Sequence, residues 1–231
     1  MDAAKTSIRI THMGNLSILT LDQQYVLDQV RKETAITEHF YFTGGTALAE
    51  CYLHHRYSDD IDLFTVKPFE NLPILNFINE IAKGKYTVES RFSAPLYTFM
   101  LRPMGGDVDL KVDFSRYPYT QLEEPKMINN IPIDSLIDIS TNKLLTISQR
   151  TSVKDFVDLY FLLQTHSVYD LMEGVKVKFG IKIEPFFLAT DFLKVDSFTF
   201  LPRMIKPLTL IELQTFFRSL AVEVSKQVIE E

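Results

Sequence analysis

The spacing of hydrophobic side chains changes along the chain. Strand-like segments alternate with helices in the first half, whereas the second half keeps helical spacing. Strand-like patterns predict β-strands at residues 40–42, 60–64, 86–92, 96–102 and 107–114. Helical spacing predicts helices at 21–32, 46–55 and 71–83, and then at 135–150, 152–164, 168–178, 185–193 and 208–228. Together these patterns predict an α+β fold, in which a small mixed β-sheet with helices is followed by a C-terminal helical region.

The best domain boundary is the segment 115–133, which contains three prolines and the acidic pair Glu123 and Glu124. Proline interrupts both helices and sheets, so the segment is typical of a connection between domains. We predict a core at residues 1–120 that includes the N-terminal helix, and a helical region at 121–231 that completes a cleft.

A glycine pair, Gly44 and Gly45, stands between the first strand and the helix at 46–55. Glycine tolerates positive φ and lets a phosphate approach the backbone closely. The first turn of the helix offers unpaired N–H groups and the positive end of a dipole, which favour an anion. A phosphate-binding turn is therefore predicted here, although a tight turn without a ligand is the commoner explanation of a glycine pair alone.

Asp60 and Asp62 share one face of the next strand, because Ile61 and Leu63 point the other way. They lie about 7 Å apart along the strand and repel each other unless a cation lies between them. Magnesium prefers carboxylates, phosphate oxygens and water as ligands. Alone, the pair is more typical of a solvated edge strand, but beside the glycine turn it predicts a site for Mg²⁺ and a nucleoside triphosphate.

A third carboxylate, Asp113, lies near the end of the strictly alternating strand at 107–114. This strand and the one at 96–102 are predicted to form a hairpin. If the strand at 107–114 also pairs beside Asp62, then Asp113 completes a three-carboxylate site. Asp107 and Asp109 lie nearer the hairpin turn and are expected to be solvated.

These motifs resemble the AbiEii/AbiGii-type nucleotidyltransferase toxins, a branch of the DNA polymerase β-like superfamily that includes the MenT toxins. The family's pattern of GGTAL, an arginine, a serine and DIDLF is matched by Gly44 to Leu48, Arg56, Ser58 and Asp60 to Phe64. Its third carboxylate matches Asp113. Its later lysine matches Lys143, and its R-x-x-x-[RK]-D-x-x-D-L run matches Arg150 to Leu159. The resemblance is firm over residues 41–163.

The resemblance implies a metal-dependent nucleotidyltransferase that releases pyrophosphate. The implied ligands of one or two Mg²⁺ ions are Asp60, Asp62 and Asp113, and Asp113 also acts as the base or orients it. The implied nucleotide-binding residues are Gly44, Gly45, Thr46, Ser58, Lys143 and Arg150. Many superfamily members have Gly-Ser where this chain has Gly-Gly-Thr, so any hydroxyl contact to phosphate falls to Thr46.

Two of the implied catalytic residues, Lys143 and Asp158, lie on the predicted helices at 135–150 and 152–164. The residue pattern alone favours solvated helix faces for both. The resemblance instead implies that Lys143 contacts the triphosphate and that Asp158 is an acidic member of the acceptor or nucleotide site. Arg150 and Asp155 fit either a substrate contact or an ion pair between helices.

The resemblance also implies the toxin of a bacterial toxin–antitoxin pair, with a nucleoside triphosphate as substrate, a tRNA 3′ end as acceptor and a cognate antitoxin as partner. Two alternatives stay open at this point. The acceptor is a small molecule or a protein side chain, or the chain is an inactive relative that only binds nucleotide. The three carboxylates argue against the inactive relative, because a binding module has little reason to keep their mutual repulsion.

Composition narrows the remaining choices. The chain has 231 residues and a formal net charge of −6, which argues against broad, sequence-independent binding of nucleic acid. No apolar run approaches the roughly 18 residues of a membrane span, and no signal-peptide core is present, so a cytoplasmic location is expected.

Cys51, the single cysteine, is expected to be buried, and His54 and His55 are expected at the surface. The cations proposed to guide RNA, or else to form a soluble face, are Lys176, Lys178, Lys182, Lys194, Arg203 and Lys206.

Overall fold

Seven strands form one mixed sheet in the computed structural model, which describes residues 17–226. They are β1 (Tyr41–Thr43), β2 (Ile61–Thr65), β3 (Tyr86–Ser93), β4 (Leu96–Pro103), β5 (Leu110–Arg116), β6 (Lys126–Ile128) and β7 (Ile131–Ile133). Their order across the sheet is β3-β4-β5-β2-β1-β7-β6. Two pairs are parallel, β2 with β5 and β1 with β7, and the other pairs are antiparallel.

Apart from the short helix α2, which was not predicted, the described helices follow the predicted pattern closely. They are α1 (Leu21–Val30), α2 (Thr34–Thr37), α3 (Gly44–Leu48), α4 (Asn71–Ala82), α5 (Leu136–Gln149), α6 (Val153–Leu162), α7 (Val168–Phe179), α8 (Pro185–Leu193) and α9 (Leu210–Lys226). A π-helical turn, Ala49–Leu53, continues α3, and a 3₁₀ turn, Lys194–Ser197, continues α8. None of these helices is long and apolar enough to span a membrane.

The core has two parts. In the first, aromatic side chains of the sheet pack against α1 and α4, with Phe40, Phe77 and Phe99 each edge-on to Phe114. In the second, the C-terminal helices α5 to α9 pack against one another around Phe217. Together with the mixed sheet, this confirms the predicted α+β fold class.

Strands β6 and β7 were not predicted from the sequence. Each has three residues, which is too short to show an alternating pattern, and they lie within the segment taken as the domain boundary. They nevertheless extend the sheet through the parallel pairing of Ile133 with Phe42. The boundary at residue 120 stays a prediction, and the sheet itself continues past it.

A capping box fixes α1 and also ties it to the loop before β2. The Thr20 hydroxyl accepts from the Gln23 backbone N–H at 3.1 Å, and the Gln23 side chain accepts from the Thr20 backbone N–H at 2.9 Å. The other end of the Gln23 amide donates to the Ser58 carbonyl at 2.8 Å. Since Gln23 is buried, this bond fixes the position of the chain just before Asp60.

A buried ion pair joins helices α7 and α5. Lys178 Nζ on α7 lies 2.6 Å from Asp138 Oδ1 on α5, and both side chains are fully buried. The same carboxylate accepts from the backbone N–H groups of Leu122 and Glu123 and from the Ser135 hydroxyl. Lys178 is therefore not part of a basic surface, because its ammonium is committed to Asp138.

We expect Lys178→Met to lower the free energy of unfolding by about 3 kcal/mol or more, because it leaves the Asp138 carboxylate buried without its cation. Urea denaturation monitored by circular dichroism measures the change. Lys176→Met is the matched control, since Lys176 lies on the same helix but pairs with Glu173 in solvent, and it should change stability by less than about 0.5 kcal/mol. Equal stability of the two variants would contradict the prediction.

Candidate functional site

The three predicted carboxylates lie on one face of the sheet. Strands β2 and β5 are parallel neighbours, and their register places Asp62 directly opposite Asp113. Asp60 lies two residues before Asp62 and so projects from the same face, while Ile61 and Leu63 are fully buried on the other. The conditional expectation that Asp113 would lie beside the other two is therefore confirmed.

The glycine turn lies directly against this carboxylate face. Gly44 has φ +76°, and a Cβ atom built on it would overlap Asp62 Oδ2 and lie 2.9 Å from Asp62 Cγ. A Cβ on Gly45 would lie 2.7 Å from Arg56 Nη2 and 3.1 Å from Ser58 Oγ. Neighbouring side chains therefore leave no room for a Cβ atom at either position, and the positive φ of Gly44 also favours glycine there.

Gly44→Ala should lower any activity of the carboxylate site by at least about 100-fold, because the new methyl group displaces Asp62. The control is Gly84→Ala, since Gly84 has a similar φ of +68° but open space around its Cβ position. Both variants carry the strain of positive φ, about 1 kcal/mol, so thermal unfolding should shift in both. Only the Gly44 variant should lose activity in steady-state assays, and comparable losses in both would contradict the steric argument.

Two residues with hydroxyl groups, Thr46 and Ser58, lie near the turn. The Thr46 hydroxyl donates to the backbone carbonyl of Asp60, and Thr46 is buried. Ser58 is buried as well, and its hydroxyl lies beside Gly45. Thr46 holds the turn and the chain just before β2 together, while the predicted contacts of Thr46 and Ser58 with phosphate stay predictions.

A lysine that the sequence analysis did not assign lies among the carboxylates. Lys111 Nζ is 2.9 Å from Asp113 Oδ2 and 3.5 Å from Asp60 Oδ2. Lys111 precedes Asp113 by two residues on the same strand face, which was the available signal. One ammonium group is thus shared by two of the three acids, and no salt bridge to Asp62 is found in the described part of the chain.

The charges of the three acids are only partly compensated. Burial raises the pKa of Asp62 to about 6, and the neighbouring Asp113 and Asp60 add to the effect, against Lys111 and Lys143. Asp113 Oδ1 is buried and has no hydrogen-bond partner among residues 17–226. Both features indicate a site built to receive a further positive charge.

These residues fit Mg²⁺ in chemistry and placement, because carboxylate oxygens are the ligands that it prefers and one of them is buried and unpaired. Within residues 17–226, however, no group of three or more His, Cys, Asp or Glu side chains is already arranged to hold a metal ion. The three carboxylates share a face without converging on one point, so metal binding requires a local adjustment of their side chains.

A second charged cluster lies under the glycine turn and centres on Asp158 of α6. Its carboxylate accepts from Arg56 Nε at 2.6 Å and Nη2 at 2.8 Å, and from His55 Nε2 at 2.7 Å. Lys143 Nζ of α5 lies 2.6 Å from Asp158 Oδ2. The expectation of a surface His55 is wrong, because the left-handed His54 turns the chain so that His55 is fully buried.

Lys143 and Arg150 meet on Asp155 and differ in their access to solvent. Lys143 Nζ lies 2.8 Å from Asp155 Oδ1, and Lys143 is 8% exposed. Arg150 Nε lies 2.7 Å from Asp155 Oδ2, while the Arg150 side chain is 64% exposed. Arg150 is therefore open to solvent while it pairs with Asp155, and this pairing, together with the charge of Asp62, raises the pKa of Arg150. Lys143, in contrast, would have to release Asp155 or Asp158 to bind another anion.

Mutual pairing keeps this cluster charged. Burial works against ionisation of Asp158, but Lys143 and Arg56 outweigh it and hold the pKa of Asp158 well below its usual range. Burial likewise opposes the charge of Lys143, but Asp158 and Asp155 raise its pKa. Burial lowers the pKa of His55, so His55 is neutral and donates from Nε2 to the carboxylate.

The six cations proposed to guide RNA do not form an open basic surface. Five form salt bridges: Lys176 with Glu173, Lys178 with Asp138, Lys182 with Glu184, Lys194 with Asp191, and Arg203 with Asp59. The ammonium nitrogen of the sixth, Lys206, lies over the Phe161 ring, 5.7 Å from the ring centre. An RNA acceptor would therefore meet little excess positive charge from this group.

The chain matches a known protein family and an uncharacterised protein. The family model described as "Nucleotidyl transferase AbiEii toxin, Type IV TA system" matches residues 26–216. The uncharacterised protein aq_aa25 of Aquifex aeolicus (strain VF5) is 35% identical over an alignment of 165 residues, and the match covers 69% of this chain and 73% of that protein. The family match confirms the resemblance inferred from the sequence motifs.

Two solved structures are similar in fold. JHP933 from Helicobacter pylori has a TM-score of 0.58 at 21% identity, and the similarity covers 91% of this chain and 93% of that one. MenT4, a nucleotidyltransferase toxin from Mycobacterium tuberculosis H37Rv, has a TM-score of 0.53 at 15% identity, with 88% and 83% covered. At these identities the similarity shows a shared fold.

Proposed function

Since the chain belongs to the AbiEii family of nucleotidyltransferase toxins, we propose that it is a metal-dependent enzyme that transfers a nucleotide from a nucleoside triphosphate to a tRNA 3′ end. The observation that carries the proposal is the placement of Asp60, Asp62 and Asp113 on one sheet face against the Gly44–Gly45 turn. A phosphate-binding turn beside clustered carboxylates is what transfer from a triphosphate requires.

Each part of the site has a role in this proposal. Asp60, Asp62 and Asp113 hold one or two Mg²⁺ ions, which when bound neutralise the triphosphate and polarise the reacting phosphate. Asp113 accepts or orients the proton of the attacking hydroxyl, because one of its oxygens is unpaired. Gly44 and Gly45 let the phosphates approach the backbone at the start of α3.

The cations of the second cluster have separate roles. Arg150 contacts the triphosphate, since its side chain is exposed and already oriented by Asp155. Lys143 adds positive potential and pairs with Asp158, and Asp158 in turn holds Arg56 beside Gly45. We retain a direct triphosphate contact of Lys143 as a prediction that a Lys143→Met variant tests through the KM for the triphosphate.

The family is described as part of type IV toxin–antitoxin systems. We therefore infer that a cognate antitoxin exists and that this chain is the toxin. Its expression alone should slow bacterial growth, whereas the Asp62→Asn variant should be tolerated.

A second candidate acceptor is a small hydroxyl compound or a protein side chain. It is favoured by the pairing of five of the six C-terminal cations with acids and by the net charge of −6. Both features weaken attraction to RNA phosphates.

The test incubates the protein with each α-³²P-labelled nucleoside triphosphate, Mg²⁺ and either total bacterial tRNA or an RNA-free small-molecule extract. Label in the tRNA band, removed by EDTA and by Asp62→Asn, supports the proposal. Label confined to small molecules or protein transfers support to the second candidate. No transfer with any nucleotide and either acceptor pool would contradict nucleotidyl transfer by this site.

A further inference from the structure

Lys111 lies on the carboxylate face, and neither the sequence motifs nor the proposed chemistry gives it a role. Its ammonium contacts Asp113 at 2.9 Å and Asp60 at 3.5 Å. Both residues are proposed metal ligands. A divalent cation would therefore share these two carboxylates with the ammonium group, which occupies Oδ2 of each.

We propose that Lys111 competes with the divalent cation for Asp60 and Asp113, so that the metal binds tightly only together with the triphosphate. This inference rests on the proposed function and adds a control on the order of binding. Lys111 is a positioning residue in this scheme, because it acts through the two carboxylates.

The strand geometry explains why the contact forms. Lys111 and Asp113 lie two residues apart on β5, and the β2–β5 register, extended by one residue from Ile61 opposite Val112, places Asp60 opposite Lys111. Opposite charges across neighbouring strands attract. The ammonium group is therefore held at the solvent side of the carboxylates by the sheet itself.

Exposure explains why the contact can break. The Lys111 side chain is 33% exposed, and that of Asp60 is 44% exposed, so the ammonium can move into water. Its flexible four-carbon stem makes this movement inexpensive. Asp113, in contrast, is buried, and one of its oxygens has no partner in the described part of the chain, so it remains ready to bind a second positive charge.

The triphosphate resolves the competition. Once a metal ion takes the oxygens of Asp60 and Asp113, the displaced ammonium needs a new anionic partner. The phosphate oxygens of a bound nucleotide would lie on the same face, above Gly44 and Arg150. Lys111 then moves from carboxylate to phosphate, which couples the binding of metal and nucleotide.

The experiment measures Mn²⁺ binding by electron paramagnetic resonance, with and without a non-hydrolysable α,β-methylene triphosphate. Without nucleotide, Lys111→Met should bind Mn²⁺ at least about tenfold more tightly than the wild type, because the competing cation is gone. With nucleotide, this advantage should disappear. Lys111→Arg keeps the charge and should resemble the wild type, and Lys111→Gln provides a second neutral variant should the first not fold.

Two controls separate the outcomes. Arg102→Met removes an exposed cation from the neighbouring strand, where it pairs with Asp109, and should leave Mn²⁺ affinity unchanged. Asp62→Asn should weaken Mn²⁺ binding in every background. Unchanged or weaker Mn²⁺ binding by both neutral Lys111 variants overturns the competition while the proposed function stands. Mn²⁺ binding that is insensitive to both Asp62 and Lys111 overturns the competition and the proposed metal site together.

Discussion

Asp62→Asn is expected to lower nucleotidyl transfer at least about 1000-fold, because loss of a metal ligand removes several kcal/mol of transition-state stabilisation. Asparagine keeps the size of the side chain and removes its charge. Transfer of labelled nucleotide under saturating Mg²⁺, followed over several hours, measures the effect.

The same substitution should not weaken the fold. The pKa of Asp62 is raised to about 6 by burial and by Asp113 and Asp60, so above pH 6 its negative charge opposes folding. Removing that charge should raise the free energy of unfolding at pH 8. The gain should shrink as the pH falls through 6 towards 4, because folded wild-type protein then binds the proton that compensates the charge.

Asp109→Asn is the matched control for activity. Asp109 is also an aspartate near β5, but it pairs with Arg102, whose side chain is 66% exposed. Its loss should leave transfer within about twofold of the wild-type rate, as expected for a surface pair. Equal rates in wild-type protein and in Asp62→Asn would place the reaction elsewhere on the molecule.

Local sequence patterns were sufficient where the structure depends on neighbouring residues. Alternation placed Asp60 and Asp62 on one face, since a strand points successive side chains in opposite directions. The glycine pair marked the start of α3, because positive φ at Gly44 and the close approach of Asp62 exclude a larger residue. The sequence could not show that β2 pairs with β5, because register between distant strands leaves no local signal. The place of Asp113 in the site therefore depended on that pairing.

Long-range charge pairing could not be predicted from the pattern. Arg56 and Asp158 are 102 residues apart in sequence, yet they form a bidentate contact in the interior. Adjacent histidines on a helix suggested surface positions, but the π-helical turn and the left-handed His54 carry His55 inward. Lys111 stood on a polar strand face where solvation is the ordinary outcome, and only the neighbouring strand reveals its partners.

The remaining large effect is expected in the buried cluster. Asp158→Asn should lower the free energy of unfolding by about 3 to 5 kcal/mol, because breaking a buried ion pair leaves uncompensated charge. Arg56 loses its bidentate partner, while Lys143 keeps Asp155. The midpoint of thermal unfolding should fall by roughly 6 °C or more for a chain of this size.

The result decides between two roles for Asp158. A residue that only supports Arg56 beneath Gly45 should, when replaced, lower stability strongly, and the activity per folded molecule should fall much less than in Asp62→Asn. If Asp158 instead contacts the acceptor, its replacement should lower activity about as strongly as Asp62→Asn and should cost little stability.

Asp59→Asn supplies the control. It removes the same charge from a side chain that is 54% exposed, where Lys154 and Arg203 are its partners. Because Asp158 is fully buried and three basic side chains contact it, we expect the supporting role. Wild-type stability in Asp158→Asn together with lost transfer would instead assign Asp158 to the reaction.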